Sequence, residues 1–248
     1  MKTKKELMLK KFIKGDILQE LPIIDKEAPV GVAMDFDLIL TDPPYNIGWK
    51  YSDSVNDKKI DYDEWCLEWA KRCFDSLRED GILAIINYPE NNNKLYTDMV
   101  RKGYNFVQEL IWEYPTNVGM SKRKYTRNYR TIIIFSKSKE WVFNPIKQPY
   151  KNPTDKRIIK YMEKTGSIGC NHYATFNINS CKNVSKDKKN KGINQLPREL
   201  VEMMIKTFTN EGDNVLDPFV GNGTVMDIAN ELGRNAVGID INDYGESQ

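Results

Sequence analysis

The sequence contains few of the residues that form zinc sites or nucleophile–histidine pairs. Its 248 residues include four cysteines, none of them in a C-x-x-C pair, and a single histidine, His172. These are too few ligands for the usual zinc sites, and one histidine disfavours a hydrolase built on a serine or cysteine with a histidine base. We therefore expect free thiols, no metal ion and a chemistry carried by other groups.

Long apolar runs are also missing. No stretch approaches the roughly 20 apolar residues that cross a bilayer, and residues 1–6 are too charged for a secretory signal. The expected location is the cytoplasm, with no membrane partner. A hydrophobic fraction of 40% and the chain length predict one large α/β domain, with or without a small insert.

The net charge of +2 is small, but the basic residues cluster in two segments. Residues 122–130 hold five cations and two tyrosines without an acid, and residues 182–191 hold several lysines and one aspartate. Interleaved rings and cations favour nucleic acid, whose phosphates and bases they can bind, whereas improved solubility is the alternative for either segment. The candidate DNA-binding residues are Lys122, Arg123, Lys124, Arg127 and Arg130.

Apolar patterns along the chain predict alternating strands and helices. Strands are predicted at 37–41, 82–87, 106–112, 131–135, 214–216 and 236–239, and helices at 62–77, 92–102, 197–208 and 224–232. Gly81 is predicted to stop the first helix. The segment 147–194 is polar and interrupted by proline and glycine, which indicates an insert or an extended loop.

A glycine turn follows the predicted strand at 214–216. The sequence Asp217-Pro-Phe-Val-Gly-Asn-Gly-Thr224 enters a helix, and Asp240 ends the next strand. Such a turn lets a cofactor approach the backbone, and an acid about 20 residues later can bind a ribose diol. Asp217 would repel a pyrophosphate but attract an ammonium group. S-adenosyl-L-methionine, which has a ribose and an amino acid but no phosphate, is the expected cofactor. A purely structural strand–turn–helix is the alternative.

The turn Asp42-Pro43-Pro44-Tyr45 follows the predicted strand at 37–41. Each proline fixes its own φ and restricts the residue before it, so the turn is stiff. It presents a carboxylate, carbonyl oxygens and a ring, and could accept both N–H groups of a planar amine stacked near Tyr45. The amine lone pair would then face an electrophilic methyl group. A rigid turn without a chemical role is the alternative.

Together, DPPY and DPFVGNGT resemble the motifs of the S-adenosylmethionine-dependent DNA amino-methyltransferases, which act on adenine N6 or cytosine N4, in their β-type motif order. The resemblance implies a Rossmann-like class I methyltransferase fold: a doubly wound, mostly parallel sheet with an antiparallel edge strand, a permuted motif order and a small recognition insert. Residues 1–145 and 192–248 would form the catalytic and cofactor-binding domain, and 146–191 the target-recognition insert.

The resemblance also assigns cofactor contacts. Lys14-Gly-Asp-Ile-Leu18 is similar to the family element that holds the adenine of the cofactor, so Asp16 and Ile17 inherit that role. Asp240 matches the ribose ligand. In the loop itself, Phe219, Gly221, Gly223 and Thr224 match the family, and Asp217 and Asn222 complete the predicted cofactor-binding residues. The chain departs from the family at Asn194-Gln195, where relatives often have His-Pro, and at Asn222, where they usually have a small residue.

The resulting hypothesis is methyl transfer to adenine N6 in duplex DNA, by base flipping and direct in-line attack. Asp42, Pro43, Pro44 and Tyr45 are the catalytic residues. Cytosine-N4 methylation is the nearest alternative, although relatives of that type more often have serine at the position of Asp42. An RNA or protein amide substrate and a non-catalytic DNA-binding partner also stay open.

The expected macromolecular partners are duplex DNA, a second copy of the chain and a cognate restriction endonuclease. The loop 46–59, which follows the catalytic turn, is expected to be mobile without DNA and to close over the base.

Overall fold

The strand in front of the double proline lies in the centre of the molecule. It consists of six buried residues, Phe36–Thr41, most of them apolar or β-branched.

The computed structural model describes residues 8–21, 35–48, 57–115, 122–181 and 195–243. The strands are β1 Lys10–Lys14, β2 Phe36–Thr41, β3 Leu77–Asn87, β4 Asn105–Glu113, β5 Tyr129–Ser136, β6 Lys147–Gln148, β7 Cys170–Asn171, β8 Thr175–Asn177, β9 Asn214–Asp217 and β10 Asn235–Asp240. The helices are α1 Tyr62–Asp75, α2 Pro89–Arg101, α3 Lys156–Thr165, α4 Arg198–Phe208 and α5 Thr224–Glu231.

Eight strands form one sheet in the order β1-β10-β9-β2-β3-β5-β4-β8. The first five are mutually parallel, whereas β5 runs antiparallel to both of its neighbours and β8 pairs parallel with β4. The predicted α/β class is confirmed. An antiparallel strand is present, but the prediction that it lies at the edge of the sheet is wrong. Strand β5 lies inside the sheet, where it pairs with β3 on one side and β4 on the other, and all its residues except the first are buried.

Helices cover both faces of the sheet, as the predicted doubly wound architecture requires. Trp69 of α1 and Met99 of α2 belong to the apolar cluster on one face, together with Ile39 of the central strand. Met204 of α4 and Ile228 of α5 belong to the cluster on the other face. The core therefore consists of two layers separated by the sheet.

Several boundaries differ from the predicted ones, and the differences at α1 and β3 have a clear physical reason. Helix α1 ends at Asp75 instead of residue 77, and Gly81 lies inside β3 instead of ending a helix. A Cβ atom at Gly81 would come within 2.7 Å of the carbonyl oxygen of Phe36. Glycine therefore allows β3 to approach β2 closely, and the periodicity of the sequence did not indicate this contact.

The segment predicted as an insert or extended loop contains regular structure where it is described. The side chain of Asp155 caps α3 by accepting a hydrogen bond from Arg157 N, and Gly166 ends the helix in the left-handed conformation. Strand β8 extends the main sheet, and β6 pairs with β7. Residues 182–194 lie outside the described residues, and the division into domains stays a prediction.

No helix within the described ranges is long and apolar enough to cross a membrane.

Candidate active site

The carboxyl ends of four parallel strands open on one cleft of about 230 Å³. Strands β2 and β9 are direct neighbours, with Leu38 opposite Val215, so the turn after β2 lies beside the turn after β9. The sequence-predicted residues that line the cleft are Asp16, Ile17, Asp42, Pro43, Pro44, Tyr45, Asp217, Phe219, Gly221, Asn222 and Asp240. Gly223 and Thr224 do not line it: Gly223 caps α5, and Thr224 is buried and donates a hydrogen bond to Asn222 Oδ1.

Neighbouring side chains hold the turn 42–45 in place. Tyr62 Oη donates to the carbonyl oxygen of Pro44 at 2.5 Å, and Asn91 Nδ2 donates to the carbonyl oxygen of Tyr45 at 3.1 Å. Asn91 also donates to Asn87 Oδ1. These contacts come from α1, α2 and the end of β3, so the geometry of the turn depends on the packing of two helices against the sheet.

The Asp42 carboxylate has partners on both oxygens. Tyr45 Oη donates to Oδ1 at 2.5 Å, and Arg130 Nη1 lies 3.4 Å from Oδ2. Burial raises the pKa of Asp42, while Arg130 and the Tyr45 hydrogen bond act in the opposite direction. Burial and the neighbouring carboxylate raise the pKa of the Tyr45 phenol well above 10, so this hydroxyl is a neutral donor.

The placement of Arg130 corrects the prediction that it binds DNA. Its side chain is buried, with the guanidinium 4.5 Å from the ring centre of Tyr45 and 5.3 Å from that of Trp112. A group enclosed in this way cannot reach a phosphate of the DNA backbone. Arg127, by contrast, forms an ion pair with Glu90 at the surface. Lys122, Arg123 and Lys124 are exposed, and their predicted binding to DNA stays a prediction.

Asp240 and the glycine turn form the second side of the cleft. Asp240 Oδ2 accepts a hydrogen bond from Gly221 N, and Oδ1 accepts one from Asn242 N, both at 2.9 Å. Gly221 has a φ of 53°, a left-handed conformation that favours glycine. Burial raises the pKa of Asp240. Asp16 lies nearby, and its Oδ1 accepts a hydrogen bond from Leu18 N.

Asp217, the last residue of β9, is buried between these two sides. Its Oδ1 accepts a hydrogen bond from Phe219 N at 3.1 Å. Burial, reinforced by the nearby carboxylates of Asp240 and Asp42, raises the pKa of Asp217 to about 8. A cation bound beside this group would favour its ionised form.

The charges around the cleft indicate what it can bind. Of the described residues that line it, five are aspartates and one, Lys59, is basic. This surface repels phosphate groups and suits a ligand with hydroxyl groups and positive charge. S-adenosylmethionine has a ribose diol, an ammonium group and a sulfonium, and it carries no phosphate. The residues present therefore fit this cofactor.

The two departures from the family pattern meet in the structure. Asn222 Nδ2 donates to Gln195 Oε1 at 2.7 Å, and both side chains are buried. The glycine loop is thus tied to the segment before α4, three residues ahead of the first helical residue, by a hydrogen bond between amides. The sequence alone identifies these residues only as separate departures.

Several residues that line the cleft are not predicted from the sequence. Trp65 is not among the predicted site residues, but it lines the cleft and packs edge-on against Phe219 at 5.6 Å between ring centres. Its place at the start of α1, beside the ends of the strands, was the available signal. Asp57 and Lys59 also line the cleft. They belong to the loop predicted to be mobile, most of which, residues 49–56, lies outside the described residues.

Comparisons with known proteins show the family of the chain. A family model described as DNA methylase, for the N6 and N4 enzymes, matches residues 36–246. The type II methyltransferase M1.MboII of Moraxella bovis is 33% identical over 225 residues, which cover 83% of this chain and 84% of that protein. The DNA adenine methyltransferase YhdJ of Escherichia coli is 30% identical over 240 residues, covering 94% and 79%.

Solved structures share the fold. The PvuII DNA methyltransferase (cytosine-N4-specific) has a TM-score of 0.67 at 17% identity, covering 97% of this chain and 86% of that one. The M1.HpyAVI–SAM complex has a TM-score of 0.60 at 19% identity, covering 94% of both chains. The fold is that of the class I methyltransferases, and S-adenosylmethionine is the cofactor of the family. With the family model matching most of its length, the chain belongs to the N6/N4 DNA methylase family.

Proposed function

We propose that this DNA methyltransferase acts on the N6 amino group of adenine in duplex DNA. One observation carries the proposal: the turn 42–45 and the glycine turn 217–222 line the same cleft. A target amine at the first turn would lie within reach of a methyl group bound at the second.

We assign the cofactor contacts from the positions of the carboxylates. Asp240 would hold the ribose, Asp217 the ammonium group, and Asp16 with Ile17 the adenine. Phe219 and Gly221 would contact the cofactor through the turn they occupy. The raised pKa of Asp217 supports its role, because pairing with an ammonium group would stabilise the ionised carboxylate.

Asp42 and the carbonyl oxygen of Pro43 would accept the two N–H groups of the target amine. Each carboxylate oxygen has two lone pairs, so Asp42 Oδ1 can accept a substrate N–H while it keeps its hydrogen bond from Tyr45. S-adenosylmethionine supplies an electrophilic methyl group, whose carbon–sulfur bond breaks as the amine nitrogen bonds to carbon. The two acceptors stabilise the positive charge that develops on nitrogen, and the proton then leaves to water.

Adenine is favoured over cytosine by two observations. YhdJ, 30% identical over 94% of this chain, is named a DNA adenine methyltransferase. Asp42 stands where cytosine-N4 relatives more often have serine. The similarity to the cytosine-specific PvuII enzyme, at 17% identity, concerns the fold alone.

The DNA contacts are proposed at the exposed cations that precede β5. Lys122, Arg123 and Lys124 lie near the amino end of this antiparallel strand, which is at the same sheet edge as the cleft. We propose that the reaction takes place in the cytoplasm, and that a second copy of the chain or a cognate endonuclease assists the protein in the cell.

Nucleoside analysis tests the proposal. The purified protein would be incubated with S-adenosylmethionine carrying a labelled methyl group and with long duplex DNA, and the digested nucleosides separated by mass spectrometry. We expect label in N6-methyl-2′-deoxyadenosine. Label in N4-methylcytosine would establish the alternative base, and absence of label in DNA despite cofactor binding would refute both.

A further inference from the structure

Arg130 is a buried cation at the centre of the catalytic half of the cleft. It lies near the start of β5 and pairs in register with Trp112 of β4. Its Nη1 atom is 3.4 Å from Asp42 Oδ2, and 9% of its side chain is exposed. Three rings surround the guanidinium, those of Tyr45, Tyr88 and Trp112, with centres 4.5 to 5.5 Å away.

Burial of a permanent charge is unfavourable unless a counter-charge or polarisable rings replace the water. Arginine suits this position because its guanidinium is planar, stays ionised and can stack on rings while it pairs with a carboxylate. Arg130 therefore connects the acid of the turn 42–45 to the ring that closes the same turn.

Asp42 needs a counter-charge, because it is buried beside another acid. The titratable and charged groups around Asp42 and Arg130 are Asp217 from β9, Tyr45 from the turn, Tyr88 after β3, and Tyr114 after β4. Burial disfavours the ionised form of Asp42, and Arg130 is the cation that opposes it. A protonated Asp42 would have one acceptor oxygen fewer for the target amine.

We infer that Arg130 is a positioning residue for methyl transfer, which acts through Asp42 by holding its carboxylate ionised and oriented towards the target amine. This inference rests on the proposed function. It replaces the predicted contact between Arg130 and DNA phosphates. The stacking of Arg130 on Tyr45 also fixes the ring beside which the base would lie.

The alternative is an ion pair that only stabilises the fold, and a more exposed arginine–aspartate pair away from the cleft provides a control for it. Arg78 Nη1 lies 2.7 Å from Asp37 Oδ1, near the opposite end of β2. Burial also raises the pKa of Asp37. Arg78→Met therefore removes an arginine from an aspartate of the same strand, away from the cleft.

The experiment compares Arg130→Met, Arg130→Lys and Arg78→Met with the wild type. Single-turnover methyl transfer to DNA would be measured from pH 5.5 to 9, together with cofactor affinity, the KM for DNA and its salt dependence. For Arg130→Met we expect cofactor affinity within about threefold of wild type. The rate of methyl transfer at pH 7 should fall about 100-fold or more. The acidic limb of the plot of rate against pH should move up by about one pH unit or more, so the difference in rate from the wild type should become smaller as the pH rises.

For Arg130→Lys we expect the acidic limb of the pH–rate profile near that of the wild type, because the ammonium group keeps the positive charge. The rate should be about tenfold lower, because lysine cannot provide the planar stacking of the guanidinium. Arg78→Met should keep the wild-type profile. An equal loss at every pH in Arg130→Met, or a wild-type rate, would overturn the inference.

The experiment separates this inference from its alternatives. If Arg130→Met does not fold, Arg130→Lys decides: a lower kcat with unchanged KM and salt dependence supports a positioning role, whereas a raised KM with unchanged kcat overturns it. An inactive wild type would instead refute the proposed function.

Discussion

At the scale of a single residue, Asp217 is a buried carboxylate that is proposed to bind the cofactor and that lowers the stability of the fold. Its pKa of about 8 in the folded protein lies above the 3.8 of an ordinary aspartate. Between these two values the native state holds a proton that the unfolded chain has lost, so this group makes the unfolding free energy fall as the pH rises.

We therefore expect Asp217→Asn to be more stable than the wild type at pH 8, by on the order of 5 kcal/mol, with the difference vanishing near pH 4. Its affinity for S-adenosylmethionine should fall, because the amide cannot pair with an ammonium group. Denaturant titrations at several pH values measure the first effect and calorimetry the second. The exposed Asp75→Asn is the control. A pH-independent difference in Asp217→Asn would contradict the account.

The hydrogen bond between Asn222 and Gln195 predicts a coupled effect. Each single alanine variant removes one side of this hydrogen bond while the other amide stays buried. It should therefore lose about 1–2 kcal/mol of unfolding free energy. The double variant should lose less than the sum, because both partners are gone. A double-mutant cycle from denaturant titrations measures the coupling. Additive losses would show that the two side chains do not stabilise each other.

Sequence reasoning at this scale found residues whose chemistry is local. The two prolines restrict their own neighbourhood, so a stiff acceptor turn at Asp42 was predictable without a fold. Arg130 was not, because a cation in a basic segment looks the same whether it faces solvent or Asp42. That distinction depends on which strand β5 joins.

At the scale of the secondary-structure elements, β10 depends on a glycine. A Cβ atom at Gly238 would lie 2.2 Å from Met226 Sδ and 2.3 Å from Val220 Cγ2. Gly238→Ala must displace the buried side chains of Met226 and Val220, and should cost about 1–3 kcal/mol of unfolding free energy. Cofactor affinity should also fall, because Asp240 ends the same strand.

Thermal or denaturant unfolding and cofactor titration test this prediction. Gly238→Ala with Met226→Ala should recover part of the stability, since one of the two contacts is then relieved. Ala236→Gly, elsewhere on β10, tests whether any change in the strand lowers affinity. Wild-type stability and affinity in Gly238→Ala would contradict the contact.

The elements predicted best are those with a strong apolar pattern, such as α4 and the buried strands β2 and β5. Gly81 was misread because a glycine after a helical pattern usually ends the helix, whereas here close pairing of β3 with β2 requires it. Helix α3 was missed although Ile158, Ile159 and Met162 recur at helical spacing, because it buries no residue and the segment around it is polar and interrupted by proline and glycine.

At the scale of the whole molecule, the cleft depends on strand order. The turns at Asp42 and Asp217 are distant in the chain, and β2 and β9 bring them together as neighbours in the sheet. The periodicity of the sequence predicts the elements but not their order in the sheet, so only the fold implied by the family resemblance could place these turns side by side. The interior place of β5, which carries Arg130, was indicated by neither.

The central claim is that these neighbouring turns divide the reaction, with the cofactor bound at one and the amine activated at the other. The most direct measurement is single-turnover methyl transfer to DNA by Asp42→Ala, with S-adenosylmethionine affinity determined on the same sample. The account predicts affinity within about threefold of wild type and transfer lowered by about 100-fold or more. Transfer at the wild-type rate would contradict it.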